Sequence, residues 1–201
     1  MASGERCAGM DNATVAAPTT YWASITILAL LAVIFTVEAA LSSGATFNVS
    51  DLLAMGASNR ALVAQGEWWR LVTASALHGG FAHFLLNGIA LLMAGFVLER
   101  LVGRAWFVAI YCVSAFGGTL VSLALNPTST VSVGASGAIM GLFAATVVCA
   151  LRLPAEERNG ALARSLRIMV PALLPTSSSG GMVVDYGAHF GGALFGGTMR
   201  H

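Results

Sequence analysis

The run YWASITILALLAVIFTVEAAL, residues 21–41, holds a single charged side chain, Glu38, and is long enough to cross a bilayer as one helix. Its neighbourhood is of the same kind. The 201 residues are 57% hydrophobic and 9% charged, with a mean hydropathy of +0.79. A soluble domain carries about 25% charged residues. The chain therefore reads as an all-α polytopic membrane protein, with the bilayer as a partner. On the same ruler, further spans fall at residues 81–98, 105–125 and 136–153. A weaker fifth lies near 162–174, broken by Pro171, and a sixth starts near Asp185 and is too short to cross fully. The expectation is six transmembrane helices in a compact bundle, forming one domain over residues 21–201, behind a polar N-terminal tail over 1–20.

The first twenty residues lack the basic patch, short apolar core and cleavage site of a signal peptide, so the first span is expected to stay. Placing the N-terminus in the cytoplasm puts eight of the ten arginines on inside segments and only Arg60 and Arg70 outside, as the positive-inside rule requires. The outside loop over residues 42–80 contains EWWRLVTASALHGG, which reads as partly interfacial. The net charge of +1 and the absence of a basic block argue against nucleic acid as a partner. Three scattered cysteines, Cys7, Cys112 and Cys149, form neither a disulfide framework nor a zinc site. No ligand cluster calls for a metal or an organic cofactor.

Polar groups inside a membrane are costly and mark function. Here they are Glu38, His83, Asn87, Ser136, Asp185 and His189. Ser136 lies in VGASGAIMG (133–141) and His189 in DYGAHFGGALFGG (185–197). Gly137 and Gly141 form one GxxxG pair and Gly192 and Gly196 another, and such faces let helices approach closely. Both spans run inward from outside, and at about 1.5 Å per residue Ser136 and His189 sit within one turn of the same depth. A hydroxyl beside an imidazole is the geometry of an activated nucleophile. The second span also enters from outside, and His83 and Asn87, four apart, share a face at that depth. With the Ser136 backbone N–H they could donate to a developing oxyanion. Asp185 reads as a charge at a helix start rather than a third catalytic member, and Glu38 as interfacial. A transporter would carry polar groups through the full depth, whereas here they gather in the outer half.

Taken in order, these residues resemble the rhomboid family of intramembrane serine proteases, over nearly all of the chain from Tyr21. Trp69 and Arg70 match its Trp-Arg pair. His78, His83 and Asn87 match HxxxxHxxxN, and Gly95, Glu99 and Gly103 match GxxxExxxG. Gly134, Ser136 and Gly137 match GxSG, and Ala188, His189, Gly192 and Gly196 match AHxxGxxxG. The resemblance implies a Ser136–His189 dyad without a carboxylate, and oxyanion contacts from His83, Asn87 and the Ser136 N–H. It implies structural roles for Arg70, Glu99 and His78. It implies cleavage of single-span membrane proteins near the outer end of the span, with the loop PTSSSGGMVV (175–184) as part of a lateral gate and the site opening to the outside of a cell membrane. The family's aromatic residue four after the serine is Met140 here, whose thioether could pack on the histidine instead. An alternative within the same resemblance is a proteolytically inactive relative that binds or escorts membrane proteins; such relatives typically lack the serine or the histidine.

Overall fold

The computed structural model describes residues 21–42, 47–173 and 184–199. The polar tail over 1–20, Arg6, Arg200 and nearly all of the 175–184 loop lie outside the described residues. In chain order the helices are α1 (Trp22–Leu41), α2 (Val49–Met55), α3 (Arg60–Ala64), α4 (Arg70–Thr73), α5 (Phe81–Val102), α6 (Arg104–Leu125), α7 (Ser136–Leu151), α8 (Ala155–Leu173) and α9 (Tyr186–Thr198). Two short strands, β1 (Ser58–Asn59) and β2 (Val131–Ser132), pair antiparallel with Ser58 opposite Ser132.

Among the described residues, three helices, α1, α5 and α6, are long and apolar enough to cross a membrane, and α7 is a shorter apolar helix. The expected fifth span differs from its sequence reading, whereas the sixth starts beside Asp185 and is short, as expected. α8 starts at Ala155, not near 162, because the Pro154 carbonyl accepts the first helical bonds from Glu157 and Arg158 and two acidic residues occupy the first turn. It also runs through Pro171 to Leu173 instead of breaking there. α9 has 13 residues, about 20 Å of helix against a hydrocarbon core of about 30 Å.

The core lies where α5, α6 and α7 meet. Leu91, Leu98, Phe107, Ile110, Ile139 and Leu142 are fully buried there. α9 packs chiefly on α6 and α7. The outer face of α1 stays apolar and exposed at Leu30, Val33, Val37 and Leu41, the distribution of a helix whose solvent is lipid.

The start of α1 has no side-chain cap of its own. Its cap comes from Glu99, which sits in a π-helical turn of α5 (Gly95–Glu99). One carboxyl oxygen accepts from Ala23 N–H at 2.9 Å; the other accepts from Ser24 N–H at 3.0 Å and Ser24 O–H at 3.1 Å. Gly95 leaves the room, since a Cβ there would overlap the Ser24 side chain. Each oxygen faces a backbone donor, so Glu99→Gln turns an NH2 group against one of them. That leaves buried donors unpaired, at about 1–3 kcal/mol each. The thermal unfolding midpoint in detergent, followed by circular dichroism, is expected to fall by several degrees; an unchanged midpoint would contradict this role.

The first loop is built rather than merely interfacial. Arg70 bonds Glu67 at 2.7 Å and donates to the carbonyls of Leu53 and Ala57 at 2.7 and 2.8 Å. Its guanidinium lies 5.7 Å from the centre of the Trp69 ring, while both tryptophans of the pair are exposed. Asn59 caps α3 and donates to the carbonyls of Thr128 and Thr130, and Arg60 donates to that of Asn126 at 2.7 Å. These bonds and the β1–β2 pairing fasten the loop to the segment that leads into Ser136.

Candidate active site

α7 begins at Ser136, just after a turn in which Gly134 takes φ +126° and donates its N–H to the Ala74 carbonyl at 2.9 Å. Only glycine adopts that backbone without strain. The first intrahelical bond of α7 runs from Ile139 N–H to the Ala135 carbonyl. The N–H groups of the opening residues, Ser136 included, therefore point out of the helix end.

α9 enters beside this turn. Its N-cap is Asp185, whose carboxylate accepts from Ala188 N–H at 2.9 Å, from Asn126 Nδ2 at 2.7 Å, and from the hydroxyls of Ser122 and Ser132. Asp185 thereby ties the start of α9 to the end of α6 and to β2. Its side chain is hydrogen-bonded to these four donors, and the hydrogen bond between the two residues runs from the His189 N–H to the Asp185 backbone carbonyl. The sequence reading missed Ser122, Asn126 and Ser132; the i, i+4 spacing of Ser122 and Asn126 at the end of the third span was the available signal.

One turn along α9, His189 Nε2 lies 2.8 Å from Ser136 Oγ, with the two residues 6% and 8% exposed. His189 Nδ1 is buried without a hydrogen-bond partner among the described residues. The glycines explain the approach. A Cβ at Gly192 would fall 1.9 Å from the Gly137 carbonyl oxygen, and one at Gly196 would fall 2.4 Å from Gly141 Cα. Met140 is buried one turn beyond Ser136. The aromatic ring set against His189 is that of Tyr186, edge-on with centroids 6.4 Å apart, a neighbour the sequence reading did not name.

His83 comes from the first turn of α5. A Cβ on Gly134 would lie 2.7 Å from His83 Cε1 and 2.8 Å from Nε2, with Ser136 Oγ at 3.8 Å. The Nε2 edge of His83 thus lies against Gly134, next to the serine. On the other side of the ring, Nδ1 faces the Gly79 N–H at 3.4 Å, a long bond. A backbone N–H can only donate, so in the neutral ring Nδ1 carries the lone pair and Nε2 the proton. Asn87 is buried one turn on and uses one amide hydrogen on the His83 carbonyl at 2.9 Å; its Oδ1 has no partner among the described residues.

His78 is fully buried, with its ring edge-on to His83 and Phe84, both at 5.4 Å. Burial, and secondarily the charge His83 would carry, push the His78 imidazole down to about 3, so it is neutral at physiological pH. Glu38 differs from its interfacial reading. It is 1% exposed, and its Oε1 accepts the His78 N–H at 2.9 Å. Among the described residues, no group of three or more His, Cys, Asp or Glu side chains is placed to hold a metal ion.

A family model described as the Rhomboid domain matches residues 65–200. Among curated proteins, the RHOMBOID-like protein 5 of Arabidopsis thaliana is 39% identical over 152 residues, which is 74% of this chain and 48% of that protein. The rhomboid protease AarA of Providencia stuartii is 29% identical over 197 residues, 86% of this chain and 69% of that protein. The rhomboid protease GluP of Bacillus subtilis is 41% identical over 109 residues, 54% of this chain and 21% of that protein. The chain thus spans about a fifth of the length of GluP and about half of that of RHOMBOID-like protein 5.

Proposed function

The chain belongs to the rhomboid family, and on that premise we propose that this integral membrane protein is an intramembrane serine endopeptidase that cuts single-span membrane proteins. The observation that carries the reading is the buried 2.8 Å contact between Ser136 Oγ and His189 Nε2. His189 Nε2 accepts the hydroxyl proton as Ser136 Oγ bonds to the scissile carbonyl carbon. The oxyanion takes hydrogen bonds from the Ser136 N–H, His83 Nε2–H and the second amide hydrogen of Asn87. The imidazolium then gives its proton to the departing amine as the C–N bond breaks, and water hydrolyses the acyl-enzyme with the same base. Because Asp185 is taken up by other donors, the site works as a dyad.

In this reading α7, α8 and α9 complete six spans over residues 21–201. The short α9 needs no full-length apolar stripe because it is lodged between α6 and α7. The N-terminal tail is cytoplasmic, and Ser136, at the outer start of α7, draws its water from outside the cell. Trp69, Arg70, His78 and Glu99 support the scaffold; Gly134, Gly137, Met140, Gly192 and Gly196 set the spacing around the dyad.

The test is incubation of the purified protein in detergent with a single-span reporter substrate, with product masses locating the cut. A fluorophosphonate should label Ser136, as shown by the mass of its peptide. No cleavage and no label on the folded protein would sink the proposal. A further expectation concerns the turn. Gly134→Ala strains the backbone and drives a methyl into His83, so it should lower kcat by about 10²–10³-fold, the usual loss for one oxyanion donor. Steady-state kinetics on protein matched for folded content checks this, and a wild-type kcat would show that His83 is not used.

A further inference from the structure

Glu38 is a buried ionisable group that the mechanism above leaves unused. It belongs to α1, whose Phe35 ring also lies edge-on to the His78 ring at 6.4 Å, and it lies 40 residues before its partner. Its Oε1 accepts the His78 N–H at 2.9 Å; its Oε2 is buried without a partner among the described residues. The next N–H in the chain, that of Gly79, points at His83 Nδ1. Two consecutive backbone donors are thus fixed at opposite ends, one by a carboxyl from α1 and the other by the imidazole whose far nitrogen borders Ser136. The buried His78 ring, wedged against His83 and Phe84, closes the same turn from the side.

We propose that Glu38 is a positioning residue for the reaction: by holding the His78–Gly79 turn, it fixes the His83 ring with its Nε2–H directed at the space beside Ser136. The inference rests on the protease reading. The reason is geometric. Donor catalysis requires the hydrogen to await the oxyanion without reorganising. A ring held by one long bond to a loop N–H keeps its orientation only if that loop cannot shift. In the described structure the bond from Glu38 is what ties residue 78 to the helix bundle through the backbone. Removing it lets the turn relax, and His83 then rotates or exchanges its tautomer. Substrate binding is untouched, because the lost interaction is made only in the transition state.

The experiment uses the full chain in detergent, with active sites counted by fluorophosphonate titration so that turnover is expressed per competent site. Glu38→Ala is expected to lower kcat per site by about 10–10²-fold with KM within about twofold of wild type. Glu38→Gln keeps an acceptor at the same reach and should recover kcat to within about threefold. His83→Ala should lose about 10²–10³-fold, and the Glu38→Ala/His83→Ala double variant should be no slower than His83→Ala alone, because the carboxyl acts only through that ring. If Glu38→Ala reduces the number of titratable sites but leaves turnover per site unchanged, Glu38 is structural only and the proposal fails. It fails equally if the two losses multiply. Should Glu38→Ala not fold, Glu38→Asp withdraws the acceptor by one methylene and must still lower kcat per site; wild-type turnover there overturns the inference. Residual cleavage by Ser136→Ala would instead remove the protease reading itself, so the two failures are distinct.

Discussion

Ser136→Ala should abolish cleavage, with kcat down by on the order of 10⁴–10⁶-fold, and His189→Ala should fall to the same floor. The equality is the informative part. The hydroxyl is a poor nucleophile until its proton has somewhere to go, and the acceptor 2.8 Å away is the His189 ring nitrogen. Either deletion removes the same event, so the double variant should be no slower than either single one. The labelling pattern separates the roles: Ser136→Ala has no site for a fluorophosphonate, whereas His189→Ala keeps the oxygen but not its base and should label far more slowly. Asp185→Asn offers a contrast. Its side chain closes a cap among Ser122, Asn126, Ser132 and Ala188, so its loss should show in stability before it shows in the base strength of His189. Cleavage by Ser136→Ala at even a hundredth of the wild-type rate would assign the chemistry elsewhere.

The parts of this molecule that the sequence discloses are those with a period or a length. Apolar runs of about twenty residues mark α1, α5 and α6 because the bilayer sets the length. Glycines four apart at 137/141 and 192/196 disclose which helix faces meet, because nothing else allows backbones so close. The hidden parts are single bonds across long separations. Glu38 looks interfacial near the end of an apolar run, since nothing in the chain announces that its acceptor meets the backbone of residue 78. The four-way cap on Asp185 draws on residues 122, 126 and 132, none of which stands out in composition. The short helices of the first loop are held by Arg70, a residue the Trp-Arg pair points to, but nothing in the sequence says that it reaches the carbonyls of Leu53 and Ala57. α8 hid its start because its first turn is charged, and a ruler made for apolar runs passes over it.

The second large effect follows from the glycines. Gly192→Ala adds one methyl at a place where a Cβ would lie 1.9 Å from the Gly137 carbonyl oxygen and 2.6 Å from its carbon. The obstacle is helix backbone, which cannot rotate away as a side chain would. To regain ordinary contact at 3.4 Å, α7 and α9 must part by roughly 1.5 Å. Overpacking of this kind costs about 1–3 kcal/mol. The same displacement acts on catalysis, because Ser136 opens one of these helices and His189 lies on the other, one turn before Gly192. A misplacement of about 1 Å costs on the order of 10²-fold in rate. Gly192→Ala should therefore lower both the unfolding midpoint and the rate of fluorophosphonate labelling, the latter by about 10²-fold or more in the fraction that remains folded. Gly197→Ala on the same helix is the control, since its Cβ would lie 3.4 Å from that of Ala144 and meet no backbone. It should stay within about 0.5 kcal/mol and twofold of wild type. If both variants labelled at the wild-type rate, the α7–α9 spacing would not be what holds the serine and histidine together, and the dyad would need another source of alignment.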